Sequence, residues 1–139
     1  MQRNEQAAAR RAHQKAILLV DDSHVVRGLF ADLLRNAGHY VEEAWDGHHA
    51  QGLVERSGPF DLLMTDYRMP GMSGVDLALW FRERWPDTAL LLVSASPDHL
   101  AHAGGKLPFA TCLLKTSHPD KMLATVAKLL ATTGAPDGA

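Results

Sequence analysis

Five short apolar runs, each followed by a stretch of helical periodicity, constrain this chain more than any other feature of its sequence. The runs lie near 16–21, 39–44, 60–66, 88–94 and 110–115, and the helical stretches near 23–37, 47–57, 74–84, 97–103 and 118–132. Strict alternation of this kind implies right-handed crossovers and a parallel sheet covered by helices on both faces. The first, third and fourth runs are almost unbroken Ala, Leu, Ile, Val and Met, as strands buried on both sides require. His39-Tyr40-Val41-Glu42-Glu43-Ala44 is more polar and reads as an edge strand. The strand order 2-1-3-4-5 accommodates that edge and sets strands one and three on either side of a crevice.

Punctuation supports these boundaries. Val26, Leu29, Phe30, Leu33 and Leu34 form the apolar stripe of the first helix, Leu77, Leu79, Trp80 and Phe81 that of the third, and Met122, Val126, Leu129 and Leu130 that of the last. Ser73 with Asp76 makes a capping box, and Gly38, Gly58 and Pro59 mark the exits of the first two helices. Gly104, Gly105 and Pro108 are expected to end the helix after Ser94 early. Residues 1–14 form a polar arm, 15–132 one domain, and 133–139 a tail in which Gly134, Pro136 and Gly138 stop the last helix.

A chain of 139 residues is one domain by length and buries roughly 68% of its unfolded surface, so no disulfide or structural metal is required. The formal net charge of −2 supplies no field for nucleic acid or anionic lipid. Cys112 has no second cysteine to pair with and reads as a small buried residue. Neither a signal peptide nor a membrane span is present in the pattern, and a cytoplasmic protein is expected.

Chemistry enters at the ends of the strands. Asp21-Asp22 closes the first apolar run, Asp66 the third, Ser94 the fourth and Lys115 the fifth. In parallel sheets these C-terminal ends share one edge, where ligands of open α/β folds bind. Two carboxylates about 4 Å apart repel by roughly 4 kcal/mol at an effective dielectric near 20, so three together call for a cation. The donors are all oxygen, which favours Mg²⁺, an ion that retains waters and accepts a phosphate ligand. With such an ion the pocket attracts a phosphoryl group: Asp66 becomes a nucleophile, Lys115 a balancing charge and Ser94 a hydroxyl donor.

Asp21-Asp22, the loop Asp66-Tyr67-Arg68-Met69-Pro70-Gly71-Met72-Ser73-Gly74, Ser94-Ala95 and Lys115 together resemble the receiver domain of two-component response regulators, over residues 15–132. The resemblance implies a flavodoxin-like (βα)5 fold and a stand-alone phosphorelay switch. Asp66 would take a phosphoryl group from the phosphohistidine of a histidine kinase or phosphotransfer protein. It also implies Mg²⁺ held by the side chains of Asp22 and Asp66, by the Arg68 backbone carbonyl, and by Asp21 directly or through water. Ser94 and Lys115 would hold the phosphoryl oxygens, and Arg68 and Ser96 match positions that influence the lifetime of the acyl phosphate.

Two residues depart from the family pattern. Thr116 stands where receivers place a proline after a cis bond, and since a cis bond before a non-proline residue costs about 2.5–4 kcal/mol, a trans Lys115–Thr116 bond and a somewhat shifted Lys115 are expected. Cys112 stands where the family commonly has a Tyr or Phe that swings inward, so switching is expected to use the loop around 95–109 instead. These departures sustain an alternative, a pseudo-receiver that binds partners without productive phosphorylation. A flavin-binding fold would want a Ser/Thr- or Gly-rich phosphate loop where Asp21-Asp22-Ser23-His24 stands. A haloacid-dehalogenase-type phosphatase would want a second acid two residues after Asp22. The eight histidines read as surface residues, and Trp45, Trp80 and Trp85 as core or rim packing.

Overall fold

The computed structural model describes residues 14–132; the polar arm before Gln14 and the tail at 133–139 lie outside them. The elements are β1 (Ala16–Val20), α1 (His24–Asn36), β2 (Tyr40–Ala44), α2 (Gly47–Ser57), β3 (Leu62–Asp66), α3 (Gly74–Arg84), β4 (Ala89–Ser94), α4 (Pro97–Lys106), β5 (Thr111–Leu114) and α5 (Pro119–Ala131). The five strands form one parallel sheet in the order β2-β1-β3-β4-β5, so the flavodoxin-like α/β architecture and its polar edge strand are as expected. Among the described residues no helix is long and apolar enough to cross a membrane.

Alternation along each strand divides the core in two, because successive side chains leave opposite faces of a sheet. Leu18, Val20, Leu63, Leu90 and Leu92 pack with Ala50 and Val54 of α2, Leu77, Ala78 and Phe81 of α3, and Ala103 of α4. Ile17, Leu19, Leu62, Met64, Leu91 and Val93 pack with Ala31 and Leu34 of α1 and Met122, Val126 and Leu130 of α5. Each fully buried Leu, Ile or Phe is worth about 1.5–3 kcal/mol, so both layers press the central strands into a fixed register.

Local chemistry starts and stops the helices. The side chains of Ser23, Asp46, Ser73 and Ser96 accept the backbone N–H groups of Val26, His49, Asp76 and His99, capping α1 to α4. Gly38 and Gly58 leave α1 and α2 at φ of 99° and 85°, a region that favours glycine.

Two expectations need correction. Gly104 and Gly105 do not end α4, which runs on to Lys106. Glycine in a helix costs up to about 1 kcal/mol each, but Ala103 and Leu107 are fully buried on this turn and the Leu107 N–H donates to Ala103 O at 2.7 Å. Leu29 and Leu79 are 58% and 43% exposed. Leu77 and Phe81 lie four residues apart and take the core face of α3, which turns Leu79 away from it. The tryptophans take the core and rim places expected of them: Trp45 is 56% exposed at the rim and stacks on His49 with ring centroids 3.4 Å apart, and Trp80 and Trp85 pack against the core.

Candidate functional site

The C-terminal ends of β1, β3, β4 and β5 bring their polar residues to one edge of the sheet. Carboxylate oxygens of Asp21, Asp22 and Asp66 all lie within 4.8 Å of one another. Lys115 Nζ reaches Asp21 Oδ2 at 3.0 Å and Asp66 Oδ2 at 3.2 Å. Ser94 joins them through the ladder: it follows Val93, the register partner of Asp66, and its carbonyl accepts the Lys115 N–H at 2.8 Å. Asp21, Asp66 and Ser94 are buried, while Asp22 and Arg68 face solvent. Asp22, Tyr67, Arg68, Met69, Pro70 and Ser73 line an open cleft beside the carboxylates.

Neighbouring backbone fixes each acid. One oxygen of Asp21 accepts the Ser23 N–H at 2.8 Å and the other faces Lys115. Asp66 is held by the return of its loop, in which the Tyr67 N–H donates to Val93 O and the Gly74 N–H to Tyr67 O, both at 2.9 Å. Gly71 makes the turn at φ 80°, and Met69 is buried as an anchor. A Cβ at Gly74 would stand 2.1 Å from Asp66 O, so only glycine lets α3 begin this close to the acid.

Charge is unevenly balanced. Burial raises the Asp66 pKa, Asp21 and Asp22 raise it further, and Lys115 only partly opposes them. Burial alone would lower the Lys115 pKa, yet hydrogen bonds and attraction from Asp21 and Asp66 outweigh it and the net shift is upward. Three carboxylates against one ammonium leave a surplus of negative charge. Lys115 thus already takes part of the neutralising role that sequence reasoning assigned to a metal. The remaining donors are carboxylate oxygens clustered at one point, a set that fits a hard divalent cation such as Mg²⁺.

Two contributors escaped the sequence reading. Arg27, 12% exposed, donates from Nη1 to the Asp21 backbone carbonyl at 2.8 Å and pairs through Nε with Glu43 at 3.2 Å. Its only sequence signal is its place four residues after the Ser23 cap, one turn into α1. Arg27→Ala is expected to lower stability by about 1–3 kcal/mol, measured as the urea midpoint, because the Asp21 peptide loses a charged donor. The second is His99, which reads as a surface histidine in sequence but is half-buried with Nδ1 3.3 Å from Ser94 Oγ.

The Lys115–Thr116 bond is trans, as expected of a non-proline residue. Cys112 is half-buried against the α2–α4 core, and burial raises its thiol pKa, as suits a packing residue.

Fold and cluster define a receiver, and comparison with known proteins agrees: the chain belongs to the response regulator receiver domain family, whose model matches residues 17–127. Among its relatives is the chemotaxis protein CheY of Pseudomonas aeruginosa, 43% identical over 82 residues, which are 57% of this chain and 65% of that protein. The response regulator receiver protein CpdR of Brucella abortus is 31% identical over 122 residues, 84% of this chain and 97% of that protein. A solved structure of the response regulator protein TrrA of Thermotoga maritima, in complex with Mg²⁺–BeF, matches with a TM-score of 0.75 and 29% identity over 84% of this chain and 99% of that one. The matched stretch is less than two thirds of some curated relatives, 65% of that CheY and 8% of the gliding motility regulatory protein of Myxococcus xanthus.

Proposed function

We propose that this chain is a phosphoryl switch in which Asp66 accepts a phosphoryl group from the phosphohistidine of a cytoplasmic histidine kinase or phosphotransfer protein. The observation that carries this reading is the meeting of Asp21, Asp22 and Asp66 with Lys115 at the ends of three strands. Asp22 and Asp66 through their carboxylates, Arg68 through its backbone carbonyl, and Asp21 directly or through water would hold Mg²⁺. Bound there, the ion would supply positive charge to the oxygens of the transferring group.

The protein's own residues supply the rest. An Asp66 carboxylate oxygen attacks phosphorus, forming a P–O bond as the P–N bond of phosphohistidine breaks and its electron pair returns to the imidazole. Burial and the neighbouring acids leave Asp66 poorly stabilised as an anion, and the incoming phosphoryl group adds further negative charge, which Lys115 and the bound cation would balance. Lys115 exchanges its Asp66 oxygen for a phosphoryl oxygen, and Ser94 donates its hydroxyl to another. Arg68, exposed in the cleft, and Ser96, capping α4, would influence the lifetime of the acyl phosphate.

The pseudo-receiver alternative finds support in one contact, the double pairing of Lys115 with Asp21 and Asp66, which ties up the acids within the chain itself. Acetyl phosphate with Mg²⁺, followed by intact mass, separates the two readings. Wild type is expected to gain one phosphoryl group and Asp66→Asn none. A wild type that stays unmodified with both acetyl phosphate and a phosphorylated histidine donor would establish the pseudo-receiver. In metal-free buffer Asp66→Asn is also expected to be more stable than wild type, by on the order of 1 kcal/mol. The sign follows from the raised Asp66 pKa: stability falls as pH rises from the unfolded carboxylate pKa through the folded one, and the amide never ionises.

A further inference from the structure

We propose that His99 is a positioning residue that sets the direction of the Ser94 hydroxyl and thereby tunes phosphoryl occupancy at Asp66; the inference rests on Asp66 being the acceptor. His99 Nδ1 lies 3.3 Å from Ser94 Oγ, while the Ser96 N–H donates to the same oxygen at 3.1 Å. The imidazole stacks on Tyr67, the residue after Asp66, with ring centroids 4.7 Å apart and planes 20° from parallel. His102, one turn further along α4, meets the same Tyr67 ring edge-on. The first turns of α4 thus clasp the ends of β3 and β4, on either side of the residues that would handle the phosphoryl group.

Hydrogen-bond inventory sets the polarity of the clasp. Ser94 Oγ already accepts from Ser96, and a hydroxyl has one proton to give. If Ser94 donates that proton to Nδ1, both groups are satisfied, with the imidazole proton on Nε2. In the reverse arrangement Oγ would accept twice, as its two lone pairs allow, but its own proton would have no acceptor among the described residues. The resting hydroxyl therefore points at His99 rather than at Asp66. At 3.3 Å the bond is long for an O–H donor, whose optimum is about 2.7–2.8 Å. A phosphoryl oxygen offers a charge-assisted bond roughly twice as strong as a neutral one.

Formation of the acyl phosphate then draws the Ser94 proton away from His99, and Nδ1 loses its donor. Among the described residues the ring is then held by its stack on Tyr67, so the entry to α4 registers the state of Asp66. The stack also limits the ring's freedom, which keeps Nδ1 aimed at Ser94 in the resting form.

The test pairs imidazole ¹⁵N spectra with beryllofluoride titration in Mg²⁺ on wild type, His99→Ala, His99→Phe and Ser94→Ala. His99→Phe keeps an aromatic ring to stack on Tyr67 and removes both ring nitrogens, of which only Nδ1 has a partner among the described residues, so it guards against a packing defect in the alanine variant. Loading is expected to shift the His99 Nδ1 resonance in wild type but not in Ser94→Ala. Both His99 variants are expected to load roughly three- to tenfold more tightly, the factor for one lost competing neutral hydrogen bond, and the gain is expected to vanish when Ser94→Ala is added. A saturated wild type with an unmoved His99 resonance, or an equal gain in the Ser94→Ala background, overturns the positioning role while Asp66 remains the acceptor. A wild type that neither loads beryllofluoride nor gains a phosphoryl group overturns the Asp66 reading, and the role of His99 with it.

Discussion

Gly74→Ala is expected to cost about 3 kcal/mol or more, above the usual range for overpacking because the obstacle is main chain. The added methyl would stand 2.1 Å from Asp66 O, 3.0 Å from Asp66 C and 3.1 Å from Tyr67 Cα, and no rotamer of a flexible neighbour can relieve such contacts. Either α3 moves outward, opening the packing of Val75, Leu77 and Ala78, or the Asp66 peptide moves and takes the carboxylate with it. Stability and divalent-ion affinity are therefore expected to fall together. In thermal unfolding the loss corresponds to roughly 10 °C for a domain of this size. An alanine variant with the wild-type midpoint would mean that α3 begins farther from Asp66 than described.

Lys115→Met is expected to have the second-largest effect, and its size depends on conditions. The substitution keeps most of the aliphatic stem and removes the ammonium that lies 3.0 Å from Asp21 and 3.2 Å from Asp66. In metal-free buffer at neutral pH the cost should be about 2–3 kcal/mol, since removing one partner of a largely buried pair leaves uncompensated charge. Millimolar Mg²⁺ should recover much of it, because an ion that binds only the folded state adds stability by mass action. Acid should recover it too, as protonation of Asp66 removes the repulsion. At the alkaline end the raised Lys115 pKa means that its contribution is complete below the unfolded lysine value and is lost as pH rises through the folded one. Wild type should therefore lose stability there and Lys115→Met should not. Equal urea midpoints for the two proteins in metal-free buffer at pH 7 would show that Lys115 does not neutralise the acids.

These effects trace to features of different legibility. The sheet and its order could be read directly, because runs such as Ile17-Leu18-Leu19-Val20 and Leu90-Leu91-Leu92-Val93 can be buried only between two layers. Asp21, Asp22, Asp66, Ser94 and Lys115 are legible for a related reason, each standing where an apolar run stops. The end of α4 is not legible from its glycines, since glycine propensity is a small term that burial of Ala103 and Leu107 overrides. Leu29 and Leu79 look like core residues in one dimension, but burial depends on helix phase and on neighbours that no local pattern specifies.

Hydrophobic periodicity and the chirality of crossovers determined, from the sequence alone, that the strand-end acids share one edge: parallel strands joined by right-handed connections must all finish on the same side. Only tertiary structure decided how that edge is balanced. The bridge from Lys115 to two carboxylates, the hold of Arg27 on the Asp21 carbonyl and the reach of His99 to the Ser94 hydroxyl each join different elements of the fold. Contacts of that kind turn on fractions of an ångström set by packing, and neither composition nor spacing along the chain encodes them separately from the fold.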